Sequence, residues 1–301
     1  MRTLRAAVTA ASTAVLIGLS AGCAAAADAN GKPAGAGGSD TPVNSYDGDV
    51  LILQVAWVGG FVPANLIPAR LPVISVYADG RVLTQAPQIE IYPPPALPGL
   101  EVRQLSPADA WKLVDLAVAA GVGGNADYGQ PGVADVPSTR FTVLSDDGVK
   151  TTDVYALGDG EGGFTGGLTP DQIAARRKLW DLMSKLNDLP TTLGADAVST
   201  STLYAPSAIA AIVEPYRKPG PDEPSQSERS WPGPALPGER LGSGPELHCV
   251  VATGAAASRV QAAAVRANTL TPWRSGDQQW TLTLRPLLPD EHSCADLARQ
   301  S

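Results

Sequence analysis

The stretch "RFTVLSDDGVKTTDVYAL", Arg140 to Leu157, decides the fold class, because apolar and polar residues alternate on both sides of Asp147-Gly148. An Asp-Gly pair tolerates the positive φ of a tight two-residue turn, so the stretch predicts a β-hairpin. The same pattern stands earlier in "LPVISVYADGRVLTQ", Leu71 to Gln85, around Asp79-Gly80. Each hairpin precedes a helix that opens alike, with Leu105-Ser106-Pro107 in one case and Leu168-Thr169-Pro170 in the other. Ser106 and Thr169 are the expected N-caps, proline at the first helical position sacrifices no intrahelical bond, and Asp109 or Gln172 can close a capping box. Trp111, Val114 and Val118 share a face of the first helix, which Gly121 ends. Leu179, Trp180, Leu182, Met183 and Leu186 form the stripe of the second, which stops near Pro190.

Working outward, "VLILQVAWV" (Val50 to Val58) reads as a strand before the first hairpin, so residues 48–190 become a two-fold ββα-like unit with its helices on one sheet face. "AIAAIV", Ala208 to Val213, extends this domain to residues 48–213 as a further strand, although a short helix fits the same run. Residues 214–246 hold eight prolines among charged residues and read as a linker or a long surface excursion, too polar and stiff for a core element. In residues 247–301, "LHCVVA" suits a strand, Ala255 to Ala267 a helix, and "QQWTLTLRP" a strand with Trp280, Leu282 and Leu284 on one face. The fold class is therefore α+β: an antiparallel sheet built from two hairpin-plus-helix repeats, followed by a smaller β-α-β unit.

At the other end, "GLSAGC" (Gly18 to Cys23) satisfies two patterns at once. Its first five residues match the G-x-S-x-G turn of α/β-hydrolases, which needs a strand before the serine and a helix after it. Here an uncharged run, Ala6 to Leu19, precedes it behind Arg2 and Arg5, and the Ala/Gly-rich "CAAAADANGKPAGAGGSD" follows. Such a run is too short to span a bilayer as a permanent helix, which needs ~20 residues, and it is built as a signal peptide, residues 1–22. The segment resembles the lipobox of bacterial lipoproteins, which implies that Cys23 carries the lipid and that residues 23–47 form a flexible leash. Ser20 stands where that pattern most often has an aliphatic residue. Two acyl chains anchor stably, each buried methylene contributing ~0.8 kcal/mol.

Once Cys23 is lipidated, Cys249 and Cys294 remain, and export makes a disulfide between them the expected fate. It would tie the C-terminal segment to the sheet. The formal charge is −8, and −10 once Arg2 and Arg5 are removed, an anionic surface that disfavours nucleic acid as a partner.

Both histidines sit beside those cysteines, as His248-Cys249 and His292-x-Cys294. Zinc sites usually separate paired ligands by two to four residues, and neighbours on a strand point to opposite faces, so a zinc site is the weaker reading. The loops "GGNADYGQPGVAD" and "GDGEGGFTGG" carry Asp127, Asp135, Asp159 and Glu161, yet counting twelve from Asp159 reaches Pro170, where an EF-hand needs a bidentate Glu. No glycine loop has the form of a phosphate cradle. Asp290-Glu291 reads as a solvated turn rather than a catalytic pair, and "IYPPPALPGL" (Ile91 to Leu100) as a brace for the sheet or a polyproline surface for a partner. No catalytic residue, metal ligand or cofactor is assigned.

The segments "PVISVYADGRV", "QLSPADAWKLVDLAVAAGV", "ADVPSTRFTVLSDDG" and "TPWRSGDQQWTLTLRPLLPDEHSC" together resemble uncharacterised secreted or lipid-anchored proteins of actinobacteria. That resemblance implies export and an α+β fold, and no activity. The expectation is a lipid-anchored extracytoplasmic protein held to the membrane through Cys23, most simply a non-catalytic module that binds an envelope or extracellular partner. The alternative is a surface hydrolase or metal-dependent enzyme working through acidic residues, with Asp290 or His292 as its test positions.

Overall fold

A computed structural model describes residues 46–158, 164–242 and 246–298. The first half of the chain runs β1 (Leu51–Val58), α1 (Leu66–Ala69), β2 (Ile74–Tyr77), β3 (Arg81–Gln85), β4 (Leu100–Gln104), α2 (Pro107–Ala120), β5 (Ser138–Ser145), β6 (Gly148–Tyr155), α3 (Pro170–Asn187), α4 (Leu189–Leu193) and β7 (Thr202–Leu203). Its strands make an antiparallel sheet in the order β6-β5-β1-β2-β3-β4-β7. The two expected hairpins are there, β2-β3 and β5-β6, and they flank β1 on either side, with Val55 opposite both Ile74 and Phe141. Gly80 is needed for more than its φ of 90°, since a Cβ there would lie 2.2 Å from the Leu105 carbonyl oxygen. That close approach docks the start of α2 against the first hairpin, where Leu105 N–H donates to Gly80 O.

The helices begin as their caps require. Thr169 and Gln172 close a full capping box on α3. On α2, Ser106 accepts from Asp109 N–H, but the shorter Asp109 carboxylate accepts the Ser106 hydroxyl and the Lys112 ammonium instead of reaching the cap backbone. The buried face of α2 is Ala110, Leu113, Val114 and Ala117, so the expected stripe is rotated: Val118 is exposed and Trp111 stacks at the margin against Tyr46. α3 buries Leu179, Leu182, Met183 and Leu186 as expected, with Trp180 half-buried. These side chains meet Leu53, Val55, Val76, Val82, Phe141 and Val143 in one core on the helix-bearing face.

The second half runs β8 (Ala208–Pro215), β9 (Arg229–Ser230), β10 (Glu239–Arg240), β11 (His248–Thr253), α5 (Gly254–Ala264), β12 (Trp273–Ser275), β13 (Gln278–Pro286) and α6 (Cys294–Ala298). They form a second sheet in the order β10-β11-β8-β13-β12-β9. "AIAAIV" is a strand, and it lies at the centre of this second sheet rather than extending the first. A continuous apolar run is what a strand needs when both its faces are covered. One face of β8 packs toward α5 through Ile209, Ala211 and Val213, and the other toward α6 through Ala208, Ala210 and Ile212. β11 and β13 both run antiparallel to β8, so they are parallel to each other with α5 as their crossover, a β-α-β unit split by a third strand.

Between β8 and β11 the described residues form the expected excursion, but with two buried anchors, which corrects the expectation that the segment is too polar and stiff to contribute to a core. Trp231 and Leu241 are both buried. Trp231 meets Trp273 edge-on at 5.6 Å and donates its indole N–H to Pro234 O at 2.7 Å. The excursion supplies β9 beside β12 and β10 beside β11. The described residues of both sheets belong to one compact unit.

Candidate functional site

Cys249 and Cys294 form a disulfide with Cα atoms 6.0 Å apart, on the face of the second sheet opposite α5. Both thiols of the zinc reading are thereby consumed. His248 pairs across the ladder with Arg240, His292 is exposed, and the His292 and Ser293 amides donate to Asp296. No group of three His, Cys, Asp or Glu is placed to hold a metal ion among the described residues. Of the calcium candidates, Asp127 accepts from Gly129 N–H and the Gln172 amide, and Asp135 lends its backbone carbonyl to Phe61. Asp159 and Glu161 lie outside the described residues, as do Cys23 and the signal peptide.

Asp290 and Glu291 correct the sequence reading, because they are not a solvated turn. Glu291 is 5% exposed and forms a two-pronged ion pair with the fully buried Arg285, through Nη1 at 2.5 Å and Nη2 at 2.7 Å. It also accepts Leu288 N–H. Asp290 accepts the phenol of Tyr77, also fully buried, at 2.7 Å. Burial first, then the Asp290 charge, pushes the Tyr77 phenol far above its ordinary range, and burial raises the Asp290 carboxyl as well. Since Tyr77 belongs to the first sheet and Arg285 to the second, this node joins the two. It has the chemistry of a structural lock: the buried Arg285 and Glu291 charges neutralise each other, and the Tyr77 hydroxyl is spent on Asp290.

The "IYPPPALPGL" segment braces the molecule, as Ala96 N–H donates to Ala267 O and Pro94 O accepts from Thr269. Beside it lies a narrow groove of about 230 Å³, between Pro95, Leu97, Tyr204 and the end of α5 at Ala264 and Val265.

A larger concave site lies elsewhere, on the helix-bearing face of the first sheet where α3 ends. β1, β3 and β4 present Trp57, Thr84 and Arg103 to it, because each stands two residues from, or directly opposite, a residue of the core on that face. The end of α3 and the start of α4 form the far wall with Leu186, Asn187, Asp188, Leu189 and Pro190, enclosing a cleft of about 540 Å³. Its apolar base is Val73, Val82, Leu186 and Leu189. Trp57 is 36% exposed. Arg103 is half-buried, and its guanidinium makes no hydrogen bond or ion pair among the described residues. Asp188 caps α4 by accepting Thr191 N–H at 3.2 Å, and hydrogen bonds from the Thr191 side chain and then this backbone N–H hold its carboxyl below the usual range. Gln85 donates its amide to Leu71 O.

Sequence reading overlooked this cleft. Trp57 closes an apolar run that reads as core, and Arg103 sits in "LEVRQ", which has no motif; the usable signal was its phase, an arginine two residues before the core residue Leu105. Neither histidine, nor Asp290, nor Glu291 lines the cleft. No helix among the described residues is long and apolar enough to cross a membrane. Comparison with protein-family models, with curated proteins and with solved structures finds no match to this chain.

Proposed function

We propose that the chain is an exported protein, lipid-anchored through Cys23, that works by holding a ligand in the Trp57–Arg103 cleft rather than by transforming one. The observation that carries this reading is the concentration of polar groups with hydrogen-bonding capacity to spare around one half-exposed tryptophan, in a cavity of the size small molecules occupy. Chemistry on a bound molecule calls for a nucleophile with its base, or two converging carboxylates. The cleft offers one guanidinium, two amides, one hydroxyl and one carboxylate, a set suited to recognition. Anchoring rests on the "GLSAGC" motif and its apolar leader, and the acidic surface argues against nucleic acid as the ligand.

Two measurements on the full chain test the reading. Expressed in a bacterium, it should partition with membranes and lose that partition in Cys23→Ala. Ligand-observed NMR against a library of small polar metabolites should find binders that Trp57→Ala abolishes. Turnover that disappears in Asp290→Asn or His292→Ala, with no Trp57-dependent binder, would replace this reading with the enzymatic one.

A further inference from the structure

Resting on that binding reading, we infer that the cleft takes a neutral polyhydroxylated ring, a saccharide, laid against Trp57 with its hydroxyls shared between Arg103 and Asp188. Three features of the lining select this chemistry.

The first is charge. The lining carries one cation, Arg103, and one anion, Asp188, so a ligand of either net charge meets a like charge on one wall. A neutral ligand meets none.

The second is hydrogen-bonding balance. Arg103, Asn187 and Thr84 spend no side-chain hydrogen bond among the described residues. Asp188 accepts from the side chain and the backbone N–H of Thr191, which leaves lone pairs of its carboxylate to spare, and Gln85 has committed only its NH2. What remains is a mixture of donors, on Arg103 and Asn187, and acceptors, on Asp188 and Gln85, with Thr84 able to do either. A carboxylate or phosphate would use the donors and strand the acceptors, and an ammonium would do the reverse. A hydroxyl donates and accepts at once, so a ring bearing several satisfies both sets.

The third is shape. The Trp57 ring has no aromatic partner among the described residues and closes an otherwise aliphatic base. The C–H face of a pyranose is the flat, weakly polar surface that would cover it while leaving the hydroxyl rim to the polar groups.

The test is calorimetric titration of the full chain with neutral trisaccharides (maltotriose, cellotriose, mannotriose), an acidic one (trigalacturonate) and a basic one (triglucosamine). At least one neutral trisaccharide should bind, and more tightly than both charged ones. Trp57→Ala should weaken it by more than ~10-fold, and Arg103→Gln and Asp188→Asn by ~10-fold each, the usual worth of a hydrogen bond to a charged group. Asparagine still caps α4, so unchanged thermal midpoints will separate lost recognition from lost structure. Coupling the bound sugar to a surface by its reducing end distinguishes the end of a glycan chain, which keeps binding, from a free sugar, which does not. Preference for trigalacturonate or triglucosamine, with Trp57 still required, overturns the neutral ligand and leaves the binding reading standing. Absence of any trisaccharide binding overturns the inference, and if no metabolite shows Trp57-dependent binding either, the binding reading falls with it.

Discussion

Two arginines on strands show how differently this molecule treats its two polar regions. Arg285, at the junction of the sheets, is fully buried and doubly paired with Glu291. Arg103, in the cleft, is half-buried beside Trp57 with its donors unspent. A buried guanidinium without a partner would carry a heavy desolvation cost, so the junction had to be completed internally. The cleft, partly open to water, tolerates incompleteness, and that incompleteness makes it a place where something else can bind. The junction should therefore govern stability and the cleft recognition.

Breaking the junction from one side should give the largest effect. Glu291→Gln or Arg285→Met leaves a charge buried and uncompensated, and denaturant titration should show a loss of about 3–5 kcal/mol. The double replacement Arg285→Met with Glu291→Leu should recover most of that loss, because apolar packing substitutes for a buried pair. If the double variant is as unstable as the single ones, the junction is held by something other than charge compensation. Next in size is the disulfide: removing both Cys249 and Cys294 opens a separation of 45 residues, and the chain-entropy account puts the cost at about 4 kcal/mol.

A smaller effect concerns pH. Burial raises the folded-state pKa of Asp290 above its ordinary value of 3.8, so the folded protein holds that proton more tightly than the unfolded chain. Its contribution is fully present below the unfolded pKa and is lost as pH rises through the folded one. Asp290→Asn keeps an acceptor for the Tyr77 hydroxyl and removes the charge, so its thermal midpoint relative to the parent should improve between pH 4 and neutrality. A constant difference across that range would show that the carboxyl does not titrate differently in the two states. Smallest of all, Arg103→Gln should change stability by no more than ~0.5 kcal/mol, because no internal bond is lost. A loss as large as the junction's would erase the contrast between the two arginines.

Much of the architecture was legible in the chain. The two Asp-Gly hairpins, the Ser106 and Thr169 caps and the Cys249–Cys294 bridge depend on local chemistry or on simple counting, and all are present. What resisted reading depended on distant partners. "AIAAIV" has no period because both its faces are covered, so nothing local says which sheet it joins. Asp290 and Glu291 follow a proline and look like a turn; only the fold brings Tyr77 and Arg285 to them, across 213 residues for the first pair. Trp231 is surrounded by prolines and charge, and its burial depends on Trp273 arriving from the far side of α5. The cleft was hidden for the opposite reason: Trp57 and Arg103 have no motif, and only the point where α3 ends leaves them uncovered.

The proline-rich excursion has a consequence for colloidal behaviour. Its two-residue strands β9 and β10 close both ends of the second sheet, beyond which a ladder has little left to copy. Without β10, β11 would present the six-residue template "HCVVAT", apolar from Cys249 to Ala252, to any neighbouring molecule. Stiffness that is a handicap for core formation is thus an asset at a margin: edge strands of two residues between proline-rich segments offer a neighbouring chain little ladder to extend.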